Sequence, residues 1–523
     1  MAAATGCGGS TKIAPTPEPQ PRRGGTLRTG TTLPLAHGLD PQIETGTGLA
    51  IFPRVYGYLL HVDPADDATV YDHAMSVEQP DAQTYIFKLR DGVRFQDVAP
   101  VNGRTVTSED VAASILRYRD NPLVLNKAWH RGILDKVEAV DAATLRVTTS
   151  IPYVYSLSEL GGLAAGAILP RELTGADLST SGVGSGPFRI DPASSKDDVR
   201  LVRNDGYYNQ PLPYLDAMEW LILPSDEMKI AAFKQQRVDA VPNRDRFEAQ
   251  ELAAASPGAE IASEPALAYL SLGLRVDRVP FSDPRVREAI DLALDRDALI
   301  RDIAFGDGDV LGPVNPHLAG GFWSLPRDEV VASQRGKTSI DARRADARAM
   351  LAEAGAAGAR IRLQVAKLPQ VLDVAAVVRE HLRQVGLEVE LETLDQLAWY
   401  VNLRRGDFEA TLIGQLPYES PDTPVRLYHS RGIDGTGNMF GFSDSRIDAL
   451  VERSWAEQDR STRRDTLLEA QRLMIDARPM LQLFTNTAYS TAWSYVRNRR
   501  PGVAGSMAQY NYEQWIDREG TVN

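Results

Sequence analysis

The chain of 523 residues has one cysteine, Cys7, so it can form neither an internal disulfide nor a cysteine-based zinc cluster. Its seven histidines are dispersed, with no H-E-x-x-H and no paired metal spacing. Basic residues are outnumbered, 57 Lys and Arg against 70 Asp and Glu, for a formal charge of −13. Proteins that neutralise phosphates carry basic stripes, so this balance argues against a nucleic-acid partner. No apolar run approaches the ~20 residues of a membrane-spanning helix. The nearest, Leu160 to Leu169, is short and rich in Gly and Ala. No G-x-S-x-G nucleophile elbow is present. Gly336-Lys337-Thr338 copies the end of a phosphate loop, but Val331 occupies the slot of its first glycine, so it reads as an exposed loop. Gly182-Val183-Gly184-Ser185-Gly186 is glycine-rich, yet Pro187 follows where a dinucleotide motif needs a helix, so it reads as a tight loop between strands. Nothing in the residue pattern requires an enzyme, a metal or a cofactor.

What is present is an ordinary globular composition, 43% apolar and 24% charged. At ~150 residues per domain the length allows about three domain-sized units, or two large lobes. Past residue 25, helical and strand signals alternate. Tyr85, Phe87 and Leu89 alternate with Ile86, Lys88 and Arg90, and Asp91-Gly92 then precedes Val93-Arg94-Phe95, which predicts a hairpin. Thr107 with Asp110 predicts a capped helix through Val111, Ile115 and Leu116. Asp283-Pro284 reads as N-cap and first residue of a helix that places Val286, Ala289, Ile290, Ala293 and Leu294 on one face. Further helices are expected from Asp341 to Gly355, from about Leu372 to Val385, and from about Arg463 to Ala477. Leu387 to Leu391 alternates as a strand, and no repeat of fixed period is found. The class is mixed α/β.

The first residues suggest a location. Cys7 follows the small residues Ala4-Thr5-Gly6 and precedes a polar tract, which resembles the end of a bacterial lipoprotein signal. In such a signal the cysteine is the lipidated residue, which makes Cys7 the expected lipidation site. The basic and apolar parts of a full signal do not precede it, and Ala4 stands where Leu is usual. Whether Met1 is the natural start is left open. Pro15, Pro17, Pro19 and Pro21 then favour an extended tether over a packed segment.

Several motifs recur in a fixed order along the chain. They are Gly24-Gly25-Thr26-Leu27-Arg28 with Leu39-Asp40-Pro41, the segment Tyr85 to Phe95, and Thr107-Ser108-Glu109-Asp110-Val111 through Ser114 and Arg117. Gly184-Ser185-Gly186-Pro187-Phe188 and Arg203-Asn204-Asp205-Gly206-Tyr207-Tyr208 follow. Phe281 to Ile290 with Leu294-Asp295-Arg296 is the most diagnostic, and Ala352 to Gly355 and Gln384 to Leu387 continue the series. Together they resemble the solute-binding proteins of the bacterial oligopeptide, dipeptide and nickel ABC importers. Most of these residues read as structural; Arg287 and Arg296 are expected to pair with carboxylates at the edge of the core.

The resemblance implies a bilobal, periplasmic-binding-protein-like α/β fold with two hinge crossovers. The expected division is a tether over 1–24, a first lobe over 25–265 with a subdomain at about 53–159, a second lobe over 266–484, and a return segment over 485–523. It implies an extracytoplasmic, lipid-anchored and monomeric receptor, without catalysis, metal or cofactor, that hands a peptide or peptide-like solute to importer permease subunits. An oligosaccharide, an opine-like sugar phosphate or a nickel chelate is the alternative ligand. A sensor is the alternative partner, and a secreted lipoprotein hydrolase the alternative class. Expected ligand contacts are the loop Thr45-Gly46-Thr47, Lys367 near the family's carboxylate-binding arginine, and Trp399, which reads as a stacking surface or as core. Where peptide binders carry Gly-Trp-x-x-Asp, this chain has Gln415 in place of the tryptophan and Tyr418 in the aspartate's slot. A neutral phenol cannot balance a ligand's ammonium. Either Glu419 or Asp422 therefore takes over, or the ligand has no free amine.

Overall fold

The computed structural model describes residues 20–499 and 512–518 except 34, 36–37, 44–46, 122–123, 125–127, 180–181, 196, 336–338, 416–417 and 434–436. Cys7, Thr45, Gly46 and the loop 336–338 lie outside the described residues. The chain opens with β1 (Thr26–Thr31) and then builds a subdomain. Its hairpin is β2 (Leu60–Val62) and β3 (Thr69–Tyr71). Its sheet has β4 (Ala74–Asp81), β5 (Thr84–Leu89), β6 (Leu134–Asp141) and β7 (Thr144–Thr149) in the order β4-β5-β7-β6. The first lobe resumes with β8 (Phe188–Ile190), β9 (Asp198–Arg203), β10 (Ala217–Ile222) and β11 (Ala240–Asn243). β12 (Ala259–Leu274) then crosses to the second lobe, which adds β13 (Arg360–Ala366), β14 (Glu388–Leu394) and β15 (Ala410–Gln415). β16 (Met480–Trp493) crosses back.

The ten strands named outside the subdomain join one sheet, in the order β14-β13-β15-β12-β16-β11-β1-β10-β9-β8, and a separate short pair joins Val496–Arg497 to Trp515–Ile516. β12 and β16, of 16 and 14 residues, far exceed the five or six of an average strand because each serves both lobes. Helices cover the second lobe's sheet at 3.6-residue periodicity. Val286, Ala289, Ile290 and Ala293 of helix Pro284–Ala293 pack with Val374, Ala375, Val378 and Leu382 of helix Pro369–Arg383 over Leu363, Val365 and Leu412.

Local signals held where side chain and backbone bond each other. Thr107 and Asp110 form the capping box of helix Ser108–Asp120. Asp283 caps its helix by accepting from Arg285 N, with Pro284 as the first residue. Four expectations need correction. The residues after Asp91-Gly92 do not pair back with β5, because β4 and β7 already occupy both its edges; Val93 and Phe95 bond instead to Val106 and Arg104. The helix expected from Asp341 starts one residue earlier, at Ile340, and is capped by Ser339, whose side chain accepts from Ala342 N. The last long helix starts at Arg460, capped by Asp459. Arg287 meets no carboxylate among the described residues; it donates to the carbonyls of Ala477 and Phe281.

The pairing of β12 with β16 is interrupted between the lobes. Pro265 faces Thr487 and Tyr269 faces Thr485, so three residues on β12 oppose one on β16. Carbonyls released by this bulge are not left bare. Asn315, fully buried, donates through Nδ2 to Ala266 O and Leu267 O at 3.1 Å each, and Thr485 Oγ1 donates to Ala266 O at 2.7 Å.

Arg296 does meet a carboxylate. Its guanidinium donates to Asp291 Oδ1 at 2.6 Å and to Gln482 O at 2.7 Å, while Arg478 donates to Asp291 Oδ2 at 3.0 Å. With side chains only 1% and 5% exposed, Arg296 and Asp291 form a buried pair beneath β16. Removing one partner strands a buried charge, so Asp291→Ala is expected to cost about 3–5 kcal/mol. Urea unfolding should show the loss as a lower midpoint with an unchanged slope.

Candidate functional site

The strand directions define where a ligand can meet both lobes. β15 runs parallel to β13 and antiparallel to β12, so β13 and β15 both end at the interlobe boundary. β11 runs parallel to β1 and antiparallel to β16, so β1 and β11 end there from the other side. In open α/β sheets ligands settle outside the carboxyl ends of strands. The segments leaving these four ends contain Thr47, Arg244, Lys367 and Tyr418. Between them, at the crossover, lies a cavity of about 150 Å³ lined by Arg244, Arg246, Asp307, Gln370, Asn486 and Tyr489 among others. That is below the roughly 300–1,000 Å³ of typical ligand sites.

Of the first-lobe loop, Thr47 is buried and its hydroxyl donates to Leu33 O. Ile43, just before the undescribed residues, packs with Tyr118 and Ala165 of the first lobe. Lys367 is exposed, and its main-chain N–H donates to Leu394 O at 2.8 Å, which fixes the start of the loop but leaves the ammonium in water. Trp399 packs against the core, its indole N–H donating to Thr411 Oγ1 at 2.9 Å. Tyr418 is buried edge-on against Tyr269, and its hydroxyl accepts from Asn315 N at 2.8 Å. Asp422 is fully buried: it accepts from Trp455 Nε1 at 2.6 Å and from the Tyr153 hydroxyl, with Arg426 at 3.6 Å. The protein itself thus occupies Tyr418 and Asp422.

Glu419 is different. Half-buried, its carboxyl has no cationic partner among the described residues, and loss of water, with the nearby Glu159 carboxylate, pushes it up to about 7. Glu159, from the subdomain, pairs with Arg426 of the second lobe, both side chains 13% exposed. Burial pulls the Arg426 guanidinium down, but Glu159, Tyr153 and Asp422 more than compensate and hold it above its ordinary value. On the subdomain side Tyr118 lies 4.6 Å from the ring of His130. Burial, with Arg426 and Arg119 adding, drives His130 down to about 3, so it stays neutral. A second carboxyl, Glu264 on β12 beside the bulge, has one buried oxygen without a hydrogen bond and is pushed up to about 7 by loss of water. Two acids without a cationic partner among the described residues, Glu419 and Glu264, therefore stand where the lobes meet.

Glu159, Arg426, Glu264 and His130 escaped the sequence reading. Arg426 carries a usable signal, four residues after Asp422 on the same helical turn. Glu159 lies 267 residues from Arg426, and no local pattern announces such a pair.

Comparison with known proteins places these features in a family. The model described as bacterial extracellular solute-binding proteins, family 5 Middle, matches residues 69–438. The glutathione-binding protein GsiB of Salmonella typhi is 30% identical over 246 residues, 46% of this chain and 46% of that protein. The match thus spans about half the length of the glutathione-binding relatives. The oligopeptide-binding protein AppA of Bacillus subtilis is 25% identical over 406 residues, 72% of this chain and 70% of that one. Among solved structures, DppA from Helicobacter pylori in complex with the peptide STSA superposes with a TM-score of 0.82 at 20% identity, covering 95% of this chain and 99% of that one. AgaA in complex with agropinic acid, from A. tumefacien R10, gives 0.80 at 23%, with the same coverage. The fold is that of the bilobal periplasmic binding proteins, and the chain belongs to the bacterial extracellular solute-binding proteins of family 5.

Proposed function

We propose that the protein captures a peptide or peptide-like solute between its lobes outside the cytoplasm and delivers it to an ABC importer. The names of GsiB and AppA, one glutathione-binding and one oligopeptide-binding, support this ligand class. The observation that carries the reading is the carboxyl of Glu419, which has no cationic partner among the described residues. A free peptide brings an α-ammonium, and a half-buried carboxylate with no cation of its own is the group that would receive it. Lys367, exposed at the end of β13, is the proposed partner for the ligand's carboxylate. Thr45 and Gly46 are proposed to bond its main chain, and Trp399 to bound its side. No catalytic step is assigned; binding and closure suffice for delivery.

An ammonium selects the ionised form of Glu419, so capture should release a proton near neutral pH. With the carboxyl at about 7 in the free protein, the affinity for free peptides is expected to fall roughly tenfold from pH 8 to pH 6. In the unliganded protein the same raised value lets the folded state hold its proton more tightly than the unfolded chain. This group's share of stability therefore declines as pH rises from 4.5 to about 7. Calorimetry with free and N-acetylated peptides on wild type and Glu419→Gln tests the anchor. Free peptides should lose affinity in Glu419→Gln, and acetylated ones should bind weakly and without pH dependence. Equal binding of both peptide forms would point to a ligand without an amine.

Cys7 is the proposed lipid attachment point. In a chain expressed with its complete natural signal, the protein is expected in the membrane fraction and Cys7→Ser in the soluble one. Equal partitioning of the two would overturn the anchor.

A further inference from the structure

Away from the strand ends, a second set of contacts joins the lobes. The turn after β2, residues 63–68, is held by its own bonds: Asp63 N donates to Ala68 O and Asp67 N to Asp63 O, both at 2.8 Å, and Ala65 N donates to Asp63 Oδ1 at 2.9 Å. This rigid turn meets the second lobe. Asp67 Oδ2 accepts from Trp323 Nε1 at 2.6 Å and from the Arg460 guanidinium at 2.8 Å, and Ala319 N donates to Pro64 O at 2.7 Å. The Arg460 guanidinium also lies over Phe322, 3.8 Å from its ring centre.

The backbone is unusual on both sides of this contact. Asp67 has φ 64° and Ala319 has φ 48°, two left-handed non-glycine residues brought together from opposite lobes. Asp67 is held there by the bonds of its own turn together with those across the boundary, and Ala319 N is bonded across it. Covalently, the turn reaches the second lobe only through the crossover strands, so separating the lobes must break every one of these bonds.

We infer that the turn 63–68 is an interlobe latch and that Asp67 is a positioning residue, setting how long the lobes stay closed without touching ligand. This rests on the reading of the protein as a closing receptor. The apparent affinity of any ligand scales with the fraction of protein in the closed state. A latch therefore strengthens all ligands by one common factor, whatever their chemistry. Two charge-assisted bonds on one carboxylate oxygen are enough to shift that fraction by roughly tenfold.

The test needs no ligand, so it stands or falls apart from the proposed substrate. Amide hydrogen exchange on the full unliganded chain should show Ala319 N–H protected by its bond to Pro64. In Asp67→Ala, exchange in segment 315–325 is expected to rise roughly tenfold, with helix Pro284–Ala293 unchanged and a larger radius of gyration by X-ray scattering. Trp323→Phe, which removes the donor but keeps a ring, should give the same pattern at smaller amplitude, while Asp66→Ala should leave segment 315–325 protected. Exchange and radius both unchanged in Asp67→Ala would overturn the latch. So would a rise spread over the whole chain, since that would assign Asp67 to folding rather than to closure.

Discussion

The relation between the lobes depends on how the β12–β16 ladder is broken between Pro265 and Tyr269. An uninterrupted antiparallel pair would weld the lobes into one stiff ribbon, because every residue would be bonded to its partner. The inserted residues end that continuity, but they also turn buried carbonyls away from the ladder, and each unsatisfied group costs about 1–3 kcal/mol. Asn315 and Thr485 supply the missing donors from side chains. The interruption is therefore a defined joint rather than a frayed one, and bending is confined to a few residues while each lobe keeps its own core.

Near that joint Glu419 and Glu264 have no cationic partner among the described residues. Arg426 is the guanidinium that serves Glu159 and lies beside Asp422, and Asp422 also draws on the donors of Tyr153 and Trp455. His130 cannot help, because burial and the same Arg426 keep its imidazole neutral. Glu419 and Glu264 are left to lower their electrostatic cost by holding protons near neutrality. A protein that needed only stability at this boundary would do better with apolar residues of the same size. The excess of acid has a physical purpose once a cation arrives from outside, which is the chemistry proposed for the ligand.

Much of this was legible in the sequence, and the reason divides cleanly between local and distant causes. The capping box at Thr107 and the Asp283-Pro284 start depend on neighbours a few residues apart. The order of motifs, through the family resemblance, carried the bilobal fold. The hairpin at Asp91-Gly92 failed because strand pairing is a competition, and a turn signal says nothing about which edges are already taken. The site was less legible still. Lys367 and Glu419 could be nominated from position, but the pairing of Glu159 with Arg426 and the bulge-filling role of Asn315 exist only after the chain has folded.

Tyr418 shows how one substitution can move a position from one task to another. Where the resemblance leads one to expect an aspartate, this chain places a phenol whose hydroxyl accepts from Asn315 N, the residue whose side chain satisfies the bulge. The segment after β15 is thereby tied directly to the joint between the lobes. An aspartate in this buried place, flanked by the ring of Tyr269, would carry a charge that no described cation balances. The phenol avoids that cost and fills the space. The next residue, Glu419, points elsewhere and remains half in water, so the carboxyl proposed to meet the ligand is held one residue from a group anchored to the hinge. Contact at Glu419 can then bear on the joint through two hydrogen-bonded residues, Tyr418 and Asn315, without any long relay of side chains.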